Sequence, residues 1–211
     1  LYEKVTDKDG KVTKKQLLDA DGNPVTAETE FVPETSFGDV DVTFTFDASD
    51  LKAKDKVVAF ESLSLNGKEL ASHADIEDKS QTVTITKPEV GTTAKDGLDG
   101  NKTVVSDTEV SVVDTVKYKN VTPGKTYKVS GTLYEKVTAK DGKVSKKQLL
   151  DADGNPVTAE TEFVPEDTYG TVDVTFTFDG SLLKDNTPVV AFESLSYKDK
   201  EIASHSDIED E

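Results

Sequence analysis

The chain has no cysteine, no arginine, no methionine and no tryptophan among its 211 residues. Without cysteine there can be no disulfide staple, thiolate metal site or cysteine nucleophile. Without arginine there are no bidentate clamps for phosphate or carboxylate, since lysine presents only a point charge. Positive charge is scarce altogether. Lysines number 25 against 42 acids, and the net charge of −17 disfavours nucleic acid and anionic membrane as partners. No run of 18 apolar residues occurs, so no membrane-spanning helix is expected. With neither methionine nor a signal peptide, the chain reads as part of a longer or processed polypeptide.

What is present is present twice. From Leu1-Tyr2-Glu3-Lys4-Val5 onward, the sequence recurs from Leu133 at an offset of 132 without a gap, with 61 of 79 aligned positions identical. Any function is therefore stated per repeat. Hydrophobic content is 34%, and the apolar residues fall in alternating runs, the pattern of half-buried antiparallel strands. Val40, Val42, Phe44 and Phe46 share one face; so do Gln81, Val83 and Ile85, and Val90, Thr92 and Ala94. Val110, Val112, Asp114, Val116 and Tyr118 form another such face. Turns rich in glycine, proline and aspartate separate these runs, and none shows helical period. The expected fold is all-β: tandem immunoglobulin-like sandwiches in an elongated array. The expected domains are 1–87, a first repeat lacking its N-terminal strands, and 88–211, a second repeat lacking its C-terminal glutamine strand.

In the first repeat Glu61 sits among Val57, Ala59, Leu63 and Leu65 on one strand face, and Glu193 repeats it. A carboxylate on an apolar face must be protonated, paired or used. Thr92, Asp114, Glu61 or Glu193, and Gln81 thus form a set of inward polar residues. The set holds a hydroxyl nucleophile, a carboxamide electrophile and two acids able to share a proton. His73, five residues ahead of Asp78, could supply a base with its orienting acid.

These residues resemble a known family. Val-Ala-Phe-Glu at 58–61 and 190–193, the segment from His73 to Gln81, and Val90-Gly91-Thr92-Thr93-Ala94 look like the VaFE repeats. Those are Thr–Gln ester-bond immunoglobulin-like domains in the stalks of Gram-positive surface adhesins. The resemblance implies an autocatalytic ester between a first-strand threonine and a last-strand glutamine, assisted by Asp, Glu and His. By motif, Thr92, Asp114, Glu193, His205 and Asp210 take those positions in the second repeat, and Glu61, His73, Asp78 and Gln81 in the first. Thr92 is preferred to Thr93 because it is in phase with Val90 and Ala94. Neither repeat holds a full set: the first lacks its threonine and first acid, and the second its glutamine. Neither is therefore expected to close an ester from its own residues. Missing strands would come from neighbouring repeats or another chain. Alternatively, 88–132 could fold back on 1–87 and bring Thr92 to Gln81.

The implied role is structural: a self-crosslinked stalk module, single-turnover rather than an enzyme, extracellular and cell-wall anchored. It would need no cofactor or metal, and would meet host ligand only through a separate tip domain. Rival readings are weaker. Asp19, Asp21, Asn23 and Glu30 have calcium-loop spacing, but Pro24 stands where the loop needs glycine, and no helices flank it. A ligand-binding module would call for aromatic loops, yet aromatics are 7% and lie mostly on strands. A Lys–Asn isopeptide domain would need an inward lysine, whereas the lysines here fall mainly in turns and on outer faces.

Overall fold

A computed structural model describes residues 1–209, and the chain divides into two units, Leu1–Thr86 and Lys87–Glu211. In the second unit β7 (Glu89–Gly91), β8 (Ala94–Asp96), β9 (Val110–Lys119) and β13 (Tyr169–Phe178) form one antiparallel sheet. The other sheet contains β10 (Tyr127–Thr138), β11 (Val144–Gln148), β12 (Thr158–Phe163), β14 (Val189–Tyr197) and β15 (Lys200–His205). One sheet runs in the order β13-β9-β7, with β8 also on β9; the other runs β11-β10-β14-β15, with β12 also on β10. The two pack face to face as an immunoglobulin-like sandwich.

Alternation produces this core. Every second residue of β9 from Val110 to Tyr118 is buried, as are Tyr127, Val129 and Leu133 of β10 and Val174 and Phe176 of β13. Gly131 of β10 faces the Phe176 ring of β13 across the sandwich. A Cβ on Gly131 would lie 2.4 Å from the Phe176 ring, so only glycine fits there.

In the first unit the strands are β1 (Tyr2–Thr6), β2 (Val12–Gln16), β3 (Lys56–Val58), β4 (Glu61–Leu65), β5 (Lys68–His73) and β6 (Thr82–Thr84). They form a sheet in the order β2-β1-β3-β6 and a separate β4–β5 hairpin. Leu1, Leu17, Val25, Leu51 and Val57 make its small core, with Ile85 packed on them.

Two expectations are corrected here, and one alternative is set aside. Residues 40–46, expected as a strand, carry no strand, although their identical counterpart at 172–178 lies in β13. The difference is one of pairing: β13 is held by β9 along its whole length, whereas no described strand of the first unit pairs with 40–46. One hydrogen bond to this segment recurs in both repeats, from Thr29 Oγ1 to the Asp41 carbonyl (3.0 Å) and from Thr161 Oγ1 of β12 to the Asp173 carbonyl (2.9 Å). Secondly, Glu61 is exposed rather than inward, with Leu63 and Leu65 beside it at 45% and 61% exposure. No facing sheet covers them among the described residues. The alternative in which 88–132 completes the first unit is set aside, because β9 pairs with β13, and β10 pairs with β11, β12 and β14, all within the second unit.

The calcium-like spacing is explained as a turn. Asp19 Oδ1 accepts the main-chain N–H groups of Asp21 (3.0 Å) and Asn23 (2.8 Å), closing an Asx-type loop that recurs at Asp151.

Identical side chains in unequal surroundings give a paired prediction. Leu195→Ala should cost about 2–5 kcal/mol, because Leu195 is fully buried. Leu63→Ala, its repeat equivalent, should cost about 1 kcal/mol or less. Urea unfolding followed by hydrogen exchange in each unit checks this; equal losses would mean that the first unit's hairpin is as well covered as the second's.

Candidate functional site

The two acids of the second unit come from opposite sheets. Asp114 lies midway along β9 and is fully buried; Glu193 lies on β14 and is 3% exposed. The two carboxyls are near enough to influence one another's ionisation, and neither Asp114 carboxylate oxygen has a hydrogen-bond partner. Two buried carboxyls this close favour a state in which one of them keeps its proton. Burial raises the Asp114 pKa above its ordinary value of 3.8. The neighbouring polar groups of Glu193 and Thr93, then the charges of His205 and Lys102, oppose that rise without cancelling it.

Register settles which threonine faces this pair. Val90 lies opposite Tyr118, and Ala94 lies opposite Asp114, so β7 and β8 are one strand in unbroken register along β9. Thr92 therefore stands opposite Val116, on the inner face, one step from Asp114. Thr93 pairs through its backbone with Thr115 on the outer face (3.1 Å in each direction), and its hydroxyl donates to the Thr92 carbonyl at 2.8 Å. His205 is opposite Glu193 in the β14–β15 ladder, and its field reaches Asp114. Asp210 lies outside the described residues.

The first unit assembles the other half of the set. His73 is opposite Glu61 in the β4–β5 ladder, and His73 Nε2 meets Asp78 Oδ2 at 2.7 Å. The Asp78 carboxyl is held below its usual range, mainly by Ser80, whose hydroxyl and main-chain N–H both donate to it, and secondarily by His73. Gln81 accepts the Ala59 N–H at 3.0 Å, and its side-chain Nε2 donates to Glu61 Oε2. The Gln81 side-chain oxygen is buried and has no hydrogen-bond partner. So the glutamine, glutamate, histidine and aspartate meet in one unit, and the threonine and acid pair in the other. Sequence reasoning missed one charged contributor, the exposed Lys102. Lys102 sits in an aperiodic loop, where no pattern marks it.

Two-sheet architecture with a duplicated acid-bearing strand defines a tandem immunoglobulin-like module. The family described as "T-Q ester bond containing domain" matches residues 1–85 and again 88–211, and the chain belongs to it. No curated protein matches the chain. Among solved structures it is similar to a bacterial adhesin from Mobiluncus mulieris containing intramolecular disulfide, isopeptide and ester bond cross-links. Two crystal forms of that adhesin match at 23% identity, with TM-scores of 0.44 and 0.41. In each, the match covers 59% of this chain and 55% of the adhesin, so the chain spans little more than half of that protein's length.

The raised Asp114 pKa fixes the sign of a pH effect. The folded state binds this proton more tightly than the unfolded chain, so the contribution is full below the ordinary value near 3.8. It is lost as pH rises through the folded value. Asp114→Asn cannot ionise, so its melting temperature relative to the parent should rise steadily between about pH 3 and about pH 7. A constant difference across that range would mean that Asp114 titrates normally.

Proposed function

We propose that the chain is a load-bearing segment of a bacterial surface adhesin whose units are closed by Thr–Gln ester bonds. The observation that carries this reading is the Asp114–Glu193 pair, buried between the sheets beside the inward-facing Thr92. The ionised member of the pair takes the Thr92 hydroxyl proton as its oxygen attacks the carboxamide carbon of a glutamine. The protonated member donates to the carboxamide oxygen, where negative charge develops. The C–N bond then breaks, and the nitrogen leaves as ammonia with the hydroxyl proton. His205 or His73, with its neighbouring aspartate, assists proton transfer and turns over once. The first unit previews how the glutamine is held, with Gln81 hydrogen-bonded to Glu61 and its oxygen still awaiting a donor.

Joining the first strand to the last closes a loop of about 120 residues, worth ~4–5 kcal/mol by loop entropy. Under load, the ester carries force along the chain and keeps the sheets from unzipping. A cell-wall anchor and a separate ligand-binding tip belong to the same proposal, as does the absence of turnover on an external substrate.

The test adds the Ser80–Thr86 sequence after Glu211, placing a glutamine in the repeat position of Gln81. The lengthened chain should weigh one ammonia less than its sequence, and alkaline hydroxylamine, which cleaves esters and spares amides, should open it. Thr92→Ala should restore the full mass, and Thr93→Ala should not. Full mass in the lengthened parent would remove the ester reading.

A further inference from the structure

The β4–β5 and β14–β15 hairpins share one register, down to the bulge after Leu63 and Leu195. Their turns nevertheless differ at three consecutive positions: Leu65-Asn66-Gly67 in the first and Tyr197-Lys198-Asp199 in the second. Both turns bend through two successive residues of positive φ, 52° and 75° at Asn66 and Gly67, 50° and 59° at Lys198 and Asp199. Asn-Gly is the pair such a turn favours, because glycine has no Cβ and asparagine tolerates the left-handed region. Lysine has neither advantage, so Lys198 holds a strained backbone that the same hairpin avoids in the first repeat. Retained strain directs attention to what the turn presents.

It presents a cationic, aromatic groove. The groove measures about 520 Å³, and Lys125, Lys128, Glu162, Tyr197, Lys198 and Asp199 are among its lining residues. The Nζ atoms of Lys125 and Lys198 stand 5.2 and 5.4 Å from the centroid of the Tyr197 ring. That ring leans on the buried Tyr127, with their centroids 5.3 Å apart. The loop carrying Lys125 is anchored. The Gly124 N–H donates to the Pro165 carbonyl at 2.9 Å, and the Thr122 N–H to the Tyr127 hydroxyl at 2.9 Å. Lys128 pairs with Glu160 at 3.7 Å. Lys125 and Lys198 join no ion pair among the described residues, although acids outnumber lysines 42 to 25. Two ammonium groups on one ring, without counter-ions in so acidic a chain, are positive charge left available.

The rest of the lining narrows the ligand. Lysines are point charges that suit a single anionic group, whereas planar bidentate recognition calls for arginine. Glu162 and Asp199 line the same groove; they repel a polyanion and accept hydrogen bonds from hydroxyl groups. A sugar bearing one carboxylate or sulfate meets both demands, its anion against the lysines and its hydroxyls toward the acids. The volume is right for a small molecule, since such sites run to about 300–1,000 Å³.

We propose that the Tyr197-Lys198-Asp199 turn and Lys125 form a binding site for an acidic saccharide, whose anionic group lies against the two lysine ammoniums. None of these residues belongs to the Asp114–Glu193 centre, and the site does not depend on the ester reading.

The test titrates the full isotope-labelled chain with sialyllactose, sulfated lactose and neutral lactose, followed by NMR. An acidic sugar should shift the Lys125, Tyr197 and Lys198 resonances saturably, with a Kd of about 1 mM or tighter, and leave Leu65, Asn66 and Gly67 unmoved. Lactose should bind at least about tenfold more weakly. The tighter of the two acidic sugars tells carboxylate from sulfate. The K198N/D199G variant, which carries the first repeat's turn residues, should melt at a higher temperature than the parent yet bind at least about fivefold more weakly. Lys125→Gln should weaken binding to a similar degree. Unchanged binding in K198N/D199G, equal binding of lactose, or the same shifts from sodium sulfate alone would overturn the proposal. So would silence toward both acidic sugars at about 10 mM. A lower melting temperature in K198N/D199G would mean that the turn residues serve stability, and would overturn it too.

Discussion

The contact on which the second unit's site depends is the meeting of Asp114 and Glu193 across the sandwich. Each belongs to a different sheet, so the pair exists only when both sheets are in place. An isolated carboxylate in that position would be too costly to bury, and a shared proton makes burial tolerable. The same strand alternation that builds the core aims both acids inward. The site therefore adds no machinery to the fold; it replaces two core side chains with groups that can move a proton. That replacement weakens the core at neutral pH, as expected where stability is exchanged for chemistry.

Comparison of the two repeats shows what the sequence conveys and what it leaves out. The period-two pattern locates β9 and, through the repeat, β14, and the inward phase of Thr92, Asp114 and Glu193 can be read from their apolar neighbours. The same pattern misplaces Glu61, the repeat counterpart of Glu193, and the 40–46 segment, whose sequence is identical to that of 172–178 in β13. Alternation states which face a residue would present in a paired strand; it does not state that a partner or facing layer exists. Pairing energy is non-local, and identical segments diverge where β9 has no counterpart among the described residues. The contribution of Lys102 was illegible for a different reason. Charge effects in a loop depend on distance after folding, and no spacing records that.

The first unit illustrates the cost of an uncovered layer. Its leucines at 63, 65 and 70 stand open, and its glutamine is poised with an unsatisfied oxygen. Conversely, the second unit holds its two acids between facing sheets, where burial raises the Asp114 pKa.

Protonation of Asp114 is the point on which the chemistry turns, and carbon-13 NMR of its side-chain carboxyl reads it directly. The account predicts a resonance that stays protonated well above 3.8, the ordinary aspartate value, and shifts when Glu193 is changed to glutamine. A carboxyl that titrates near 3.8 and ignores the Glu193→Gln change would mean that the two acids share no proton, and the central claim would fail.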